Sequence, residues 1–343
     1  MKNRYASLAL IASILALCVV MIGAYTRLSD AGLGCPDWPG CYGHLTVPTN
    51  PSDIAGAEKH FPGMVVEAAK AWKEMIHRYV AATLGILILV LAVWGGVRKR
   101  AYPRQPLILP LFLVFLVLFQ AALGMWTVTW KVLPLVVSAH LLGGLALVAL
   151  LWYLHLKTRP QNTLHPVKAL GFRPWAILGI CILGLQIGLG AWTSTTYSAL
   201  ACQDFPYCHG SLFPPLDLKQ AFQLFHPIGI NYEGGVLETP VRITIQMMHR
   251  YGAFFTALYL ASLSIAILWR RDTEGLRATA ATLLLLLIVQ ILLGIANVMM
   301  QLPLGIAVAH NGVAAVLLMT LVTLLYQLKS PRTSSALHRG MGI

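Results

Sequence analysis

Four histidines recur along this chain in two matched pairs, His77 with His140 and His249 with His310, and each stands near the start of a long apolar segment. Neutral imidazole is a common ligand for iron and copper. A tetrahedral site for a bare ion needs four donors at close range, but each pair recurs without an accompanying cysteine or second carboxylate. Two axial imidazoles suffice when a porphyrin supplies the other four nitrogens, so the pattern points to one haem per pair. Gly143 and Gly144 follow His140, and Gly312 follows His310. Such glycines either make room for a flat ring or serve ordinary helix packing.

The pairs belong to an internal repeat. Gly23-Ala24-Tyr25-Thr26 lies twelve residues before Cys35, and Gly190-Ala191-Trp192-Thr193 lies twelve before Cys202. Met75-Ile76-His77-Arg78-Tyr79 returns as Met247-Met248-His249-Arg250-Tyr251. Gly124 of Gln120-x3-Gly124 precedes His140 by sixteen residues, and Gly294 of Gln290-x3-Gly294 precedes His310 by sixteen. Four landmarks in the same order establish a duplication.

The elements that carry these residues are membrane helices. The chain has 343 residues, 57% hydrophobic and only 11% charged, well below the roughly 25% charge of soluble proteins. A bilayer span takes about 20 apolar residues, and without water in the hydrocarbon the backbone must pair within each segment. Eight such segments occur, at about 6–26, 75–97, 106–127, 135–155, 174–196, 243–269, 278–300 and 304–328. The first has Lys2 and Arg4 before it, as a signal peptide would, but its length and its repeated Gly-Ala-aromatic-Thr end identify a true span. The expected fold is all-α: two parallel four-helix bundles, related by a pseudo-twofold axis along the membrane normal. Residues 1–156 form the first bundle, 157–173 a basic linker with Pro160 and Pro166, and 174–343 the second bundle with a short tail.

The net charge of +13 does not point to nucleic acid, because it sorts by loop. The amino terminus, loops 98–104, 157–173 and 270–277 and the tail hold sixteen of the 25 Lys and Arg, whereas ten of the 12 acidic residues lie in or beside the alternate loops. Basic loops stay inside, so both termini are expected in the cytoplasm and loops 27–73 and 197–242 outside, as in a bacterial cell membrane. Cys35 and Cys41, and Cys202 and Cys208, sit in those outer loops with five residues between partners. That is the side where disulfides persist. Each pair would staple a loop over its bundle or relay electrons by thiol exchange. Cys18 and Cys181 lie within spans and read as small buried residues. His44, His60, His209, His226, His155, His165 and His338 read as solvated surface residues.

Three further positions carry alternatives. Arg78 and Arg250 follow the first histidine of each pair; they would hold haem propionates or extend to the interface. Glu74 precedes His77 by three residues, on the same helical face, where the second copy has Gln246. A carboxylate at only one site suggests proton-coupled chemistry there, though it also suits a helix N-terminus.

Eight spans, the Glu74-x2-His77-Arg78-Tyr79 motif, the partner histidines and the two outer-loop cysteine pairs resemble the haem A synthase family over roughly residues 6–328. The cysteine pairs are similar to those of its bacterial branch with disulfides in the first and third outer loops, which implies Cys35–Cys41 and Cys202–Cys208 bonds. The resemblance implies a membrane oxidoreductase that oxidises the C8 methyl of haem O to a formyl group through two hydroxylations and loss of water, giving haem A for terminal oxidases. It also implies a haem b cofactor on His249 and His310, substrate iron on His77 and His140, and a proton-handling or charge-stabilising role for Glu74. Contact with haem O synthase is plausible for so apolar a substrate; the resemblance leaves the electron acceptor and the oxygen source open. Two rivals are a dihaem electron-transfer cytochrome, which would lack turnover of haem O, and a repeat-built transporter, which would show broken helices at mid-depth.

Overall fold

The computed structural model describes residues 2–101, 106–159 and 170–328. Most of the 157–173 linker, Arg104, His165, His338 and the tail lie outside the described residues. Eight helices are long and apolar enough to cross a membrane. They are α1 (Lys2–Leu28), α3 (Ala68–Ala101), α4 (Ile108–Thr129), α5 (Pro134–Thr158), α6 (Arg173–Thr195), α8 (Thr239–Trp269), α9 (Arg277–Met299) and α10 (Leu304–Gln327). Two short helices lie in the loops between spans, α2 (Pro51–His60) and α7 (Leu218–Ala221). Neither was expected from the apolar pattern, and neither carries a span-length apolar run.

All eight expected spans are present, but two begin early: α3 starts at Ala68 and α8 at Thr239. Their first turns carry Lys70, Lys73 and Glu74, or Arg242 and Gln246, so hydropathy alone hides them. These turns stand under the loops: Glu74, Arg242 and Gln246 bond to loop backbone, Lys70 pairs with Glu67, and Lys73 lies over the Tyr25 ring.

Helix α1 packs on α3 and α5, and α4 on α3 and α5; in the second copy α6 packs on α8 and α10, and α9 on α8 and α10. The copies meet through α1–α10, α5–α6 and α5–α10. Exchanging α1 with α6, α3 with α8, α4 with α9 and α5 with α10 maps this pattern onto itself, as an approximate twofold axis requires. Hydrogen bonds join the copies: Arg27 Nη2 donates to the Ser194 carbonyl (2.9 Å), Trp152 Nε1 to Thr323 Oγ1 (2.8 Å), and the Ser138 and Thr195 hydroxyls lie 3.0 Å apart. The Arg27 guanidinium also lies 4.1 Å from the centre of the Tyr197 ring.

One core of small and aliphatic side chains runs through both copies, including Ala9, Ala12, Ala16, Leu151, Leu154, Leu317 and Leu321. Helices associate in lipid by close packing, for which small residues suit the contact face. Ile86, Phe115 and Leu185, among others, face outward as the lipid-facing surface. Cys18 and Cys181, expected to be buried, also face outward; a thiol is apolar enough to meet lipid.

The ends of the helices repeat too. Asp30 after α1 and Tyr197 after α6 have φ of 47° and 54°, and Ala31 N–H and Ser198 N–H bond back to Thr26 and Thr193 at 3.0 and 2.9 Å. Lys131–Val132 after α4 and Gln301–Leu302 after α9 are likewise left-handed, with Val132 and Leu302 donating to Thr127 and Asn297 at 2.7 Å. Such bonds satisfy the last carbonyls of a helix, and after α4 and α9 the chain turns at once into the next helix.

Candidate functional site

The four histidines come together in two pairs, near the end of the bundle that carries the cysteine hairpins. His140 and His310 are each the seventh residue of their helices, α5 and α10, which gives them one depth. The rings of His77 and His140 face each other across the first bundle, with centroids 6.4 Å apart and planes at 84°. With metal–nitrogen bonds of about 2.0–2.1 Å, two imidazoles on opposite sides of one ion have centroids roughly 6.3 Å apart. The spacing therefore suits axial ligation of a haem iron. Nδ1 atoms of His77, His140 and His310 are buried without hydrogen-bond partners, as is Nε2 of Gln120. Buried polar atoms are normally paired, so this concentration of orphans fits a site built for a further group. Among the described residues no cluster of three or more His, Cys, Asp or Glu is present to hold a bare ion.

Each imidazole rests on a glycine, and the four glycines are landmarks of the repeat. A Cβ on Gly23 would stand 2.9 Å from Cε1 of His77, and one on Gly190 would stand 2.9 Å from Cε1 of His249. The corresponding distances are 3.4 Å from Gly124 to His140 and 3.2 Å from Gly294 to His310. The absence of a side chain thus seats each ring. Gly143, Gly144 and Gly312, candidates for clearing a flat ligand, instead face Gln120, Val20 and Met21. Theirs is a packing role. Replacing Gly190 by Ala should push the His249 ring aside at a cost on the order of 1–3 kcal/mol, the usual penalty for overfilling a packed site. Haem retained at the second pair by purified protein should fall; retention equal to wild type would contradict the seat.

The disulfide hairpins form the roof. Cys35–Cys41 and Cys202–Cys208 are bonded, with Cα atoms 4.8 Å apart in each. All four cysteines are fully buried, which favours the staple over an accessible redox relay. Both hairpins close by the same two-residue turn: Cys41 and His44 exchange backbone bonds of 2.8 and 3.0 Å, and Cys208 and Ser211 bonds of 2.8 and 3.1 Å. The turn residues Tyr42–Gly43 and His209–Gly210 all have positive φ, as such a hairpin needs. Asp37 accepts from Tyr42 N–H and Gly43 N–H at 2.6 and 2.8 Å. Asp204 does the same with His209 and Gly210 at 3.0 and 2.9 Å, and the N–H groups of Gly210 and His209 hold its carboxyl below the ordinary aspartate value. Tyr79 and Tyr251 donate to the Leu45 and Leu212 carbonyls at 2.7 Å. Residues 37, 43, 204 and 210 escape a reading centred on cysteine spacing; aligning Cys35-Pro-Asp-Trp-Pro-Gly-Cys41-Tyr-Gly43 with Cys202-Gln-Asp-Phe-Pro-Tyr-Cys208-His-Gly210 exposes them.

Glu74 and Gln246 do one structural job. Oε2 of Glu74 accepts from Cys35 N–H at 3.0 Å, and Oε1 of Gln246 accepts from Cys202 N–H at 2.5 Å. The spare arm differs: Glu74 Oε1 pairs with Arg78 Nη2 at 2.5 Å, whereas Gln246 Nε2 donates to the carbonyls of Ala199 and Cys202 at 2.7 and 3.2 Å. Glu74 is 5% exposed. Arg78 and Arg250, read from sequence as propionate or headgroup contacts, grip the hairpins. Arg78 Nη1 donates to the carbonyls of Asp37 (3.0 Å), Pro39 (3.2 Å) and Gly40. Arg250 donates to those of Asp204 (2.9 Å), Tyr207 (2.8 Å) and Cys202 (2.9 Å).

Two glutamines of the second copy reach its histidine pair. Gln290 Nε2 lies 3.2 Å from His310 Nε2, and Gln186 Nε2 lies 3.0 Å from His249 Nδ1. Two histidines expected on the surface are packed: His226 stacks on Trp192, and His155 Nδ1 lies 2.9 Å from the Ala6 carbonyl. The long third outer loop, for which the sequence suggested no role, crosses to the first copy, where Tyr232 N–H donates to the Lys131 carbonyl at 3.2 Å.

Eight spanning helices and two seated imidazole pairs under stapled hairpins define a duplicated, haem-binding class of polytopic membrane protein. The sequence model of the COX15-CtaA family, described as cytochrome oxidase assembly protein, matches residues 6–322. A haem A synthase of Shewanella oneidensis is 49% identical over 321 residues, covering 93% of this chain and 95% of its own length. The haem A synthases of Alkalihalophilus pseudofirmus and Allorhizobium ampelinum are 28% and 29% identical, covering 92% and 88% of this chain and 95% and 84% of theirs. The chain belongs to this family of membrane oxidoreductases, the haem A synthases.

Proposed function

We propose that the chain converts haem O to haem A, with the first copy (residues 1–156) receiving the substrate and the second (174–343) holding a haem b cofactor. Residues 157–173 join the two on the cytoplasmic side, where both termini lie. The observation that carries the reading is the first pair: His77 and His140 face each other at 6.4 Å with their Nδ1 atoms unpaired. His77 and His140 would take the substrate iron between them, and His249 and His310 would hold haem b. The haem b iron, when bound, supplies redox chemistry that no side chain here has.

The chain's own residues then do the rest. The glycine seats fix the imidazoles, and the apolar bundle core excludes water from a reacting methyl group. Removing hydrogens from that methyl needs a proton acceptor, and Glu74 is the carboxylate on the face of α3 that carries His77. Its loop contact with Cys35 N–H holds it at the mouth of the first pair, while Gln246 gives the second copy the same contact without an ionisable group. Arg78, with one arm on Glu74 and the other on the hairpin carbonyls, ties the roof to the reacting end.

The family supports the haem O and haem A assignments, and the apolar substrate suits delivery within the bilayer from the enzyme that makes haem O. Co-expression with a haem O synthase, followed by chromatography and mass analysis of extracted haems, tests the reading. Haem A should accumulate only when this chain is present. Two permanent haem b groups and unconverted haem O would instead show an electron-transfer cytochrome.

A further inference from the structure

The first bundle holds one polar side chain that neither the packing nor the reaction has used. Gln120 lies in the middle of α4, nine residues short of its outer end at Thr129, or about 14 Å at the helical rise. It is 6% exposed, and its Nε2 is buried without a hydrogen-bond partner. Gln120 precedes Gly124, the seat of His140, by one turn, and Gly143 follows His140 by three residues, so both share the helix faces that line the first pair. Gly143 leaves the space that the amide fills: a Cβ on it would collide with Nε2 and stand 2.8 Å from Cδ of Gln120. The copies differ at this notch. Counted from the second histidines, Val313 of α10 stands where α5 has Gly143. The glutamine itself is repeated as Gln290, but there the amide reaches the ring, with Nε2 3.2 Å from Nε2 of His310.

We infer that Gln120 is a specificity-determining residue of the first bundle, where it reads the side-chain hydroxyl of haem O. The inference rests on the reading that His77 and His140 take the substrate iron. An unpaired amide at mid-membrane suits a neutral polar partner, because a charge at that depth is costly and no water is there to replace it. Haem O carries both propionates on one edge and its isoprenoid chain, with one hydroxyl at the root, on the opposite edge. With the charged propionates toward the polar roof, the hydroxyl falls on the deep side of the iron, where Gln120 waits. Haem b has a vinyl group in place of that chain and offers the amide nothing. A hydroxyl both donates and accepts, so it pairs with either end of the amide, whichever way the amide is turned.

The test uses the full-length protein purified with haem b and titrated with two probes, followed by the absorption of the added bis-imidazole haem. One probe is haem O. The other is its dehydration product, which keeps the isoprenoid chain and lacks the hydroxyl. Wild type should bind haem O about 3–10-fold more tightly, the worth of one neutral hydrogen bond. Q120M keeps the length of the side chain and removes both polar ends. In it, haem O affinity should fall to that of the dehydrated probe, whose own affinity should not change; that constancy also shows the variant to be folded. Equal weakening of both probes would reduce Gln120 to a packing role and overturn the inference. Equal binding of the two probes by wild type would also overturn it, and so would wild-type discrimination in Q120M. A haem O increment that survives H77A would instead remove the substrate-site reading beneath it, which keeps the two failures distinct.

Discussion

Replacing Glu74 by Gln is expected to leave haem bound at both pairs and to cut haem A formation by about 10²–10⁴-fold, the usual range for a lost general acid–base group. The protein itself shows that an amide fits: Gln246 occupies the equivalent place and accepts from the Cys202 N–H as Glu74 does from Cys35. E74Q therefore keeps the hairpin anchor and removes only the charge and its pair with Arg78. A leucine at the same place removes the anchor as well and strands Arg78, a loss on the order of 3–5 kcal/mol for breaking a buried pair from one side. Comparing E74Q with E74L separates chemistry from architecture. Extracted haem A per milligram of enzyme is the readout, and full product yield from E74Q would remove Glu74 from the reaction.

Replacing His249 by Met is expected to have the largest spectroscopic effect. A thioether in place of one imidazole raises the potential of a haem iron, so the second-site haem should show histidine–methionine absorption and a higher midpoint, or be lost. The first pair is on other helices, α3 and α5, so substrate should still bind there. Haem A formation should stop nonetheless, because the proposed cofactor is displaced or retuned. A difference spectrum of reduced and oxidised protein decides this, and an unaltered spectrum would break the assignment of the second bundle.

Most of the architecture was legible because a membrane imposes it. Length and hydropathy placed all eight spans, and the duplication paired the histidines without any structural knowledge. The starts of α3 and α8 were hidden because polar first turns look like loop until their bonding partners are seen. The hairpin contacts of Arg78 and Arg250 were hidden for a related reason. A cation at a helix mouth suggests a lipid or a propionate, and nothing in the linear pattern says that a disulfide hairpin aims its carbonyls there. Glu74 stood out against Gln246 in the repeat, but its contact with Cys35 N–H depends on a loop folding back across 39 positions. The glycines were noticed for their repetition, while their role as seats for the imidazoles needed the packing of α1 on α3 and α4 on α5.

The most direct measurement is a titration of haem O into purified protein that already carries haem b, followed by the low-spin ferric resonance signal. The account predicts one additional bis-imidazole haem per chain, abolished by H77A while the haem b signal is untouched. An increment that survives H77A, or a haem b signal that disappears with it, would contradict the division of labour between the two pairs.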